Sequence, residues 1–350
     1  MRTAIDRAAS EARAARGWLA FTFVAFRLAC ATNALWSEVR PAKKTAEKAA
    51  KKAAKKTAKK TVSRVMAIDV SAVGWVSEPG VYRYGWRELA LYALGIGAGA
   101  DELDYLYEGR GPKVFPTFAV VPSLKHVMSC AQRAGVALED VVHGGQSVRV
   151  WARLPSSGSV ITRGEIAAIY DLKTLAQLVI RTYSNMDDGT PVFDTEWTIY
   201  VRDHGGFSGT KTPVGRPPPK SELGKTPRDR RPEHTVLQGV HPEQALLYRL
   251  SGDTNPLHVD PEVAARAGFA SGPILHGLAT FGYSTRAIIN TVCGGDSERL
   301  QFIHGLFRKP VWPGDTLATE LWCESDRIVF QTRVAERGDV VINNAWAKIT

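Results

Sequence analysis

Cysteine is scarce in this chain, and nothing is placed to pair with it. Its 350 residues include 4 cysteines: Cys30, Cys130, Cys293 and Cys323. They form no C-x-x-C pair and do not lie near a histidine at zinc spacing, which sets aside zinc modules and dithiol redox motifs. Such thiols are expected to be small buried or half-buried groups in a reducing compartment, so a cytoplasmic location is expected. The body of the chain also lacks a net basic charge. The formal charge is +10, but residues 1–65 hold 16 Lys and Arg against 4 Asp and Glu, while the remainder hold 29 against 31. That balance leaves the body no electrostatic reason to bind nucleic acid. An unbroken apolar span is missing too. The stretch 17–36 follows four arginines and imitates a signal peptide or short membrane span, but Arg27 interrupts it. A charge at mid-span is costly, and no convincing cleavage site follows, so no membrane anchor is expected. Finally, Gly95, Gly97 and Gly99 spell G-x-G-x-G without the preceding strand that a dinucleotide loop requires. They close the apolar segment 87–100, where they are expected to stop a helix or permit close packing.

Residues 41–61 are almost entirely Lys, Ala and Thr. Ala and Lys favour helix, but like charges four residues apart oppose it, so a disordered or frayed, solvated tail is expected. It resembles the Lys-Ala tails of histone-like proteins, and any contact with nucleic acid through it would be non-specific. The extension 1–65 is expected to lie outside the fold, with Met66 beginning the functional protein. Beyond it the composition is ordinary, and 44% of the whole chain is apolar, enough for a sizeable core. The segment 87–100 reads as a buried apolar helix. Strands are expected near 148–154, 164–171, 176–184 and 193–201, from their β-branched and aromatic residues. The Gly-, Pro- and Arg-rich segment 207–233 cannot hold a core element and reads as a linker. After it, an apolar helix over 277–292 precedes strands near 302–307, 315–323, 327–335 and 340–348, with a turn at 309–315. The element order repeats without a visible sequence repeat, which indicates an α+β fold built by duplication, with domains at 66–206 and 234–350.

The loop Ser251-Gly-Asp253-Thr-Asn255-Pro-Leu-His258 concentrates special residues. Gly252 permits unusual backbone angles and Pro256 fixes one. A turn has uses for Gly, Asp, Asn and Pro, but none for the histidine. A carboxylate and an imidazole close together are the groups that general acid–base chemistry on water needs.

Tyr248-Arg-Leu-Ser-Gly-Asp253-x-Asn255-Pro-Leu-His258 resembles the signature of the MaoC-like, type 2 (R)-specific enoyl-CoA hydratases. That family includes the hydratase part of the peroxisomal multifunctional β-oxidation enzyme. The likeness continues through Pro273-Ile-Leu-His-Gly277 and, in the first half, through Tyr107-Glu-Gly, Pro116-Thr-Phe, Val142-His-Gly144 and Gly205-Gly-Phe. It covers roughly residues 70–350 and implies a double hot-dog fold, in which each of two antiparallel sheets wraps a long apolar helix. It also implies one active site in the second half, the first half making room for the acyl chain; the first half has no second Gly-Asp-x-Asn-Pro-x-His. The implied reaction is reversible hydration of trans-2-enoyl-CoA to (3R)-hydroxyacyl-CoA. Asp253 and His258 would activate water, Asn255 would hold the loop or the water, and the Gly277 N–H would meet the thioester oxyanion. His143, Gly144, Lys173 and Phe307 match substrate contacts, Lys173 only across a one-residue gap. No metal or cofactor is implied, since the thioester itself activates C3; the partners implied are the enoyl- and 3-hydroxyacyl-CoA and a second copy in a homodimer. Two alternatives carry different expectations. One is a dehydratase acting on another acyl carrier. The other is a non-catalytic acyl-CoA binding protein tethered to DNA or membrane by its tail, whose function would depend on residues 1–65.

Overall fold

The computed structural model describes residues 68–137, 140–207 and 223–350. The chain divides into Met1–Val65 and Met66–Thr350, and the described residues all belong to the second unit. The expected basic tail, Cys30 and most of the expected linker lie outside the described residues.

In chain order the elements are β1 (Gly80–Tyr84), α1 (Trp86–Gly95), α2 (Leu103–Leu106), α3 (Val120–Arg133), β2 (Val141–Val150), β3 (Gly158–Asp171), β4 (Leu175–Met186) and β5 (Pro191–Arg202). The second half contains β6 (His234–Gly239), α4 (Gln244–Tyr248), α5 (Pro261–Arg266), α6 (Gly277–Thr291), β7 (Leu300–Phe307), β8 (Thr316–Cys323), β9 (Ile328–Val334) and β10 (Val340–Ile349). The ten strands form a single antiparallel sheet in the order β1-β3-β4-β5-β2-β7-β10-β9-β8-β6. Outward from the β2–β7 junction, both directions give the same order of corresponding strands. Two five-stranded copies therefore meet edge to edge, with Gly145 opposite Leu306 and Arg149 opposite Phe302. The junction pairs two strands that would otherwise present open edges. This is the double hot-dog expected from the sequence.

Each half holds one long helix against its sheet, and the same chemistry pins both. On α3, Ser123 Oγ is hydrogen-bonded to Thr182 Oγ1 at 2.8 Å, and Thr182 in turn to Thr195 at 2.6 Å. On α6, Ser284 Oγ is bonded to Thr332 Oγ1 at 2.7 Å, and Thr332 to Thr319 at 3.1 Å. All six hydroxyl residues are buried, so each network must be satisfied internally.

The helix expected over 87–100 needs correction. It ends at Gly95, and it is α3 that the first half of the sheet wraps. Instead, α1 packs on α4: Gln244 Nε2 donates to the carbonyls of Leu94 and Gly95, both at 2.7 Å. Its buried residues are Leu89, Ala90, Tyr92, Ala93 and Gly95. In α3 only one side is buried, through Val120, Ser123, Val127, Cys130 and Ala131. That amphipathic pattern, interrupted by Pro122 and Lys125, hid the helix in the sequence. The glycines at the end of α1 do serve close packing. Gly97 takes φ +82°, and a Cβ there would stand 2.5 Å from the Tyr283 ring.

All eight expected strands are present, but the one expected at 148–154 is Val141–Val150. Its first residues include Gly144 and Gly145 at a bulge, which weakens the strand signal. Edge strands β1 and β6 were not foreseen, since each is short and faces solvent on one side. Cys130 and Cys293 are buried and Cys323 half-buried, all three free. Burial pushes the Cys130 thiol up to about 12 and the Cys293 thiol to about 11, which makes both inert. Among the described residues no helix is long and apolar enough to cross a membrane.

Candidate active site

The loop after α4 is shaped by local chemistry. A 3-10 turn over Arg249–Ser251 ends at Gly252, whose φ of +122° few other residues adopt. The Asp253 carboxylate accepts from Asn255 N at 3.3 Å, and the Asn255 side chain accepts from Leu257 N at 3.0 Å. Asn255 thus caps the 3-10 turn Pro256–His258 through its side-chain oxygen. Pro256 occupies the first position of that turn, where its missing N–H has no cost. His258, only 9% exposed, is delivered at the turn's end.

A second segment meets this loop at the start of α6. His258 Nδ1 lies 2.8 Å from the Ile274 carbonyl oxygen. A carbonyl only accepts, so Nδ1 carries the proton and Nε2 presents a lone pair. His276 Nε2 lies 3.1 Å from the Asp253 carbonyl oxygen and must likewise be the protonated nitrogen. The His258 and His276 rings stack at 3.7 Å with an interplanar angle of 26°. Burial holds His258 below the ordinary imidazole range, against the opposing pull of the Asp253 charge and the Ile274 carbonyl. His276 is held far below it, by burial first and then by its neighbours His258 and Arg249. Both rings are therefore neutral bases at neutral pH.

Polar atoms of Asp253, His258 and His276 lie within 4.8 Å of one another. A water making two hydrogen bonds of about 2.8 Å spans groups about 4.5 Å apart, so one water fits between the carboxylate and an imidazole. Among the described residues these three are also the group spaced to hold a metal ion. Each imidazole has one nitrogen on a carbonyl and leaves its other nitrogen free.

Gly277 is the first residue of α6, with His276 as its N-cap. The first backbone bond of the helix runs from Thr280 N to the His276 carbonyl at 3.1 Å. Helix geometry therefore leaves the Gly277 N–H without an intrahelical partner, at the positive end of a 15-residue helix. A Cβ at Gly277 would lie 3.6 Å from the Phe307 ring. Phe307 meets the His143 ring edge-on at 4.8 Å, and His143 stacks on Trp197 at 5.1 Å. His143 Nε2 donates to the Gly145 carbonyl at 3.0 Å, and burial brings its pKa down to about 4. It belongs to β2, and it is a neutral packing surface.

The structure thus joins Asp253, Asn255 and His258 in one loop, and Gly277, Phe307 and His143 in one wall. Gly144 stands beside that wall; a Cβ there would stand 2.2 Å from the Tyr200 ring, so its smallness serves packing. Lys173 is apart. It sits exposed, at φ +74°, in the turn between β3 and β4. Strand register puts that turn two to three strands from His143, about 10–15 Å sideways. His276 is the site residue that sequence reasoning passed over. The available signal was a histidine directly preceding the glycine of a helix start.

Residues 220–345 match the family model described as MaoC like domain, and residues 82–203 match that of the MFE-2 hydratase 2 N-terminal domain. The chain is 39% identical over 276 residues to enoyl-CoA hydratase 2, peroxisomal, of Arabidopsis thaliana, an overlap of 75% of this chain and 89% of that one. It is 38% identical over 267 residues to the peroxisomal multifunctional enzyme type 2 of Mus musculus, covering 74% of this chain and 35% of that protein's length. Identity to 3-hydroxyacyl-thioester dehydratase Y of Mycobacterium tuberculosis is 36% over 285 residues, with 77% and 93% covered. Among solved structures, a MaoC-like dehydratase from Phytophthora capsici superposes with a TM-score of 0.71 at 30% identity, covering 81% of this chain and 98% of that one. The fold is that of a double hot-dog protein. The chain belongs to the MaoC-like family, with the two-part architecture of the type 2 hydratases.

Proposed function

We propose that this protein reversibly hydrates trans-2-enoyl-CoA to (3R)-hydroxyacyl-CoA. The observation that carries this reading is the Asp253 carboxylate and a neutral His258, close enough to share one water. The hydro-lyase names of the relatives support it. Hydration forms a C3–O bond, breaks an O–H bond of water and adds a proton at C2. The pair takes one proton from water and returns one to C2, so it ends each turnover as it began. As water attacks C3, negative charge grows on the thioester oxygen. The free Gly277 N–H at the positive end of α6 is the group suited to meet it. Phe307 and His143 form the wall that the thioester would lie along. Lys173, exposed on its turn, would reach a CoA phosphate; Gly144 keeps the wall closed against Tyr200. A homodimer and a cytoplasmic location complete the reading.

The test is the loss of enoyl-thioester absorbance from crotonyl-, decenoyl- and longer enoyl-CoAs. Asp253→Ala and His258→Ala should each lower kcat by about 10²-fold or more. Wild-type rates in both variants would remove the pair from the mechanism. The product should be oxidised by an (R)-specific and not by an (S)-specific 3-hydroxyacyl-CoA dehydrogenase; the opposite result overturns the stereochemistry.

A further inference from the structure

We propose that His276 is a positioning residue: its Nε2–H clamps the backbone carbonyl of Asp253 while its ring backs that of His258, so that the water-handling pair and the Gly277 donor are held as one unit. The inference rests on the hydration reading above.

The loop needs such a clamp. Asp253 follows Gly252, a residue with no Cβ and a φ of +122°, and no side chain packs where a Cβ of Gly252 would be. Glycine leaves the peptide before Asp253 freer to rotate than any other residue would. On the other side, the carboxylate's contact with Asn255 N is long at 3.3 Å. Local chemistry therefore restrains Asp253 weakly, although its carboxylate must face a water to within a fraction of an ångström. The His276 N–H reaches across 23 residues of sequence and fixes the carbonyl of that same residue.

His276 is itself firmly held. It is 1% exposed, it forms the N-cap of α6, and its ring lies between Tyr248 at 4.9 Å and His258 at 3.7 Å. The next residue is Gly277. A shift of His276 would therefore move the Asp253 carbonyl, the face behind His258 and the start of α6 together. Its Nδ1 is buried with no hydrogen-bond partner, so the side chain has one directional bond, and it goes to Asp253. A buried nitrogen left unpaired is costly, which argues for a use of the ring beyond filling space. Neutrality matters as well. A cation stacked on His258 would oppose the proton that His258 must accept during turnover, and burial keeps His276 from becoming one.

Two substitutions separate the donor from the ring. His276→Phe keeps a flat ring against His258 and removes the N–H. His276→Gln loses the ring and places an amide N–H near the position of Nε2. The clamp predicts that Phe lowers kcat by about 10- to 100-fold with little change in KM, as expected when a reacting group is displaced by about 1 Å. Gln should restore most of that loss. A Phe variant with wild-type kcat overturns the clamp, and so does a Gln variant no better than Phe. Should the Phe variant not fold, His276→Met, unbranched and without a donor, takes its place under the same criteria. Imidazole nitrogen–proton correlation spectra of the unmodified protein give a readout independent of turnover: His276 protonated on Nδ1 overturns the clamp. Failure of the hydration reading is distinguishable, because it appears as wild-type protein inactive on every enoyl-CoA before any variant is compared.

Discussion

Replacing Gly277 by proline would remove one hydrogen-bond donor from the site and leave the fold nearly untouched. Position 277 is the first of α6, where the N–H has no intrahelical partner and proline is well accepted. Its N-cap, His276, has φ −57° and ψ +135°, an extended conformation that a residue before proline readily adopts. A Cβ at this position meets the Phe307 ring at 3.6 Å, an ordinary contact. The denaturation midpoint of Gly277→Pro should therefore move by no more than about 1 kcal/mol equivalent. Catalysis should not survive so well. Loss of one oxyanion donor costs about 10²- to 10³-fold in kcat, or about 2.7–4 kcal/mol of transition-state stabilisation. Gly277→Ala is the matched control: it adds the same Cβ, keeps the N–H, and should retain kcat to within about tenfold. The assay is hydration of crotonyl-CoA at saturation, with urea denaturation of both variants. Crowding by the proline ring would appear in KM, whereas loss of the donor appears in kcat. A folded proline variant whose kcat matches that of the alanine control would refute the assignment of Gly277 as the oxyanion donor.

The ion pair between Arg286 of α6 and Glu102 is 13% and 9% exposed, with Arg286 Nη2 2.7 Å from Glu102 Oε2 and Asn290 adding a further contact at 2.7 Å. Glu102→Gln leaves Arg286 buried without its counter-charge and should cost about 3–5 kcal/mol in urea denaturation; a loss under about 1 kcal/mol would show that solvent reaches the pair. Stability should also depend on pH through the buried histidines. His126, His143, His258, His276 and His304 all have pKa values below the ordinary 6.5, that of His143 down to about 4. Below about 6.5 the unfolded chain binds protons that the folded chain refuses, so stability should be full above that pH and fall as pH drops toward about 4. Thermal melting across this range checks the sign, and a midpoint that rises on acidification would contradict it.

The parts of the site that the sequence revealed are those built by neighbours in the chain. Gly252, Asn255 and Pro256 shape their own loop through a positive φ, a side-chain cap and a restricted φ, and each cause lies within a few residues of its effect. The start of α6 was legible for the same reason. The central helix of the first half was not. A helix lying on a curved sheet needs only one apolar side, so α3 looked unremarkable while α1, with its run of Leu, Ala and Tyr, looked like the core. His143 fell outside the expected strand 148–154 because Gly144 and Gly145 interrupt β2 at a bulge.

The halves also show where duplication ends. Tyr92 and Tyr248 occupy corresponding helices and approach to 6.1 Å, yet five residues beyond them stand Gly97 and Asp253 respectively. Sequence alone determined which half carries the carboxylate and the imidazole, because that is a matter of residue identity. Tertiary structure decided what those groups can do. The proton on His258 is placed by the carbonyl of Ile274, the Asp253 carbonyl is engaged by His276, and both imidazoles are kept neutral by burial. Tautomer, orientation and pKa depend on atoms brought close through space and on the water they displace, and the order of residues along the chain specifies these only by way of the fold.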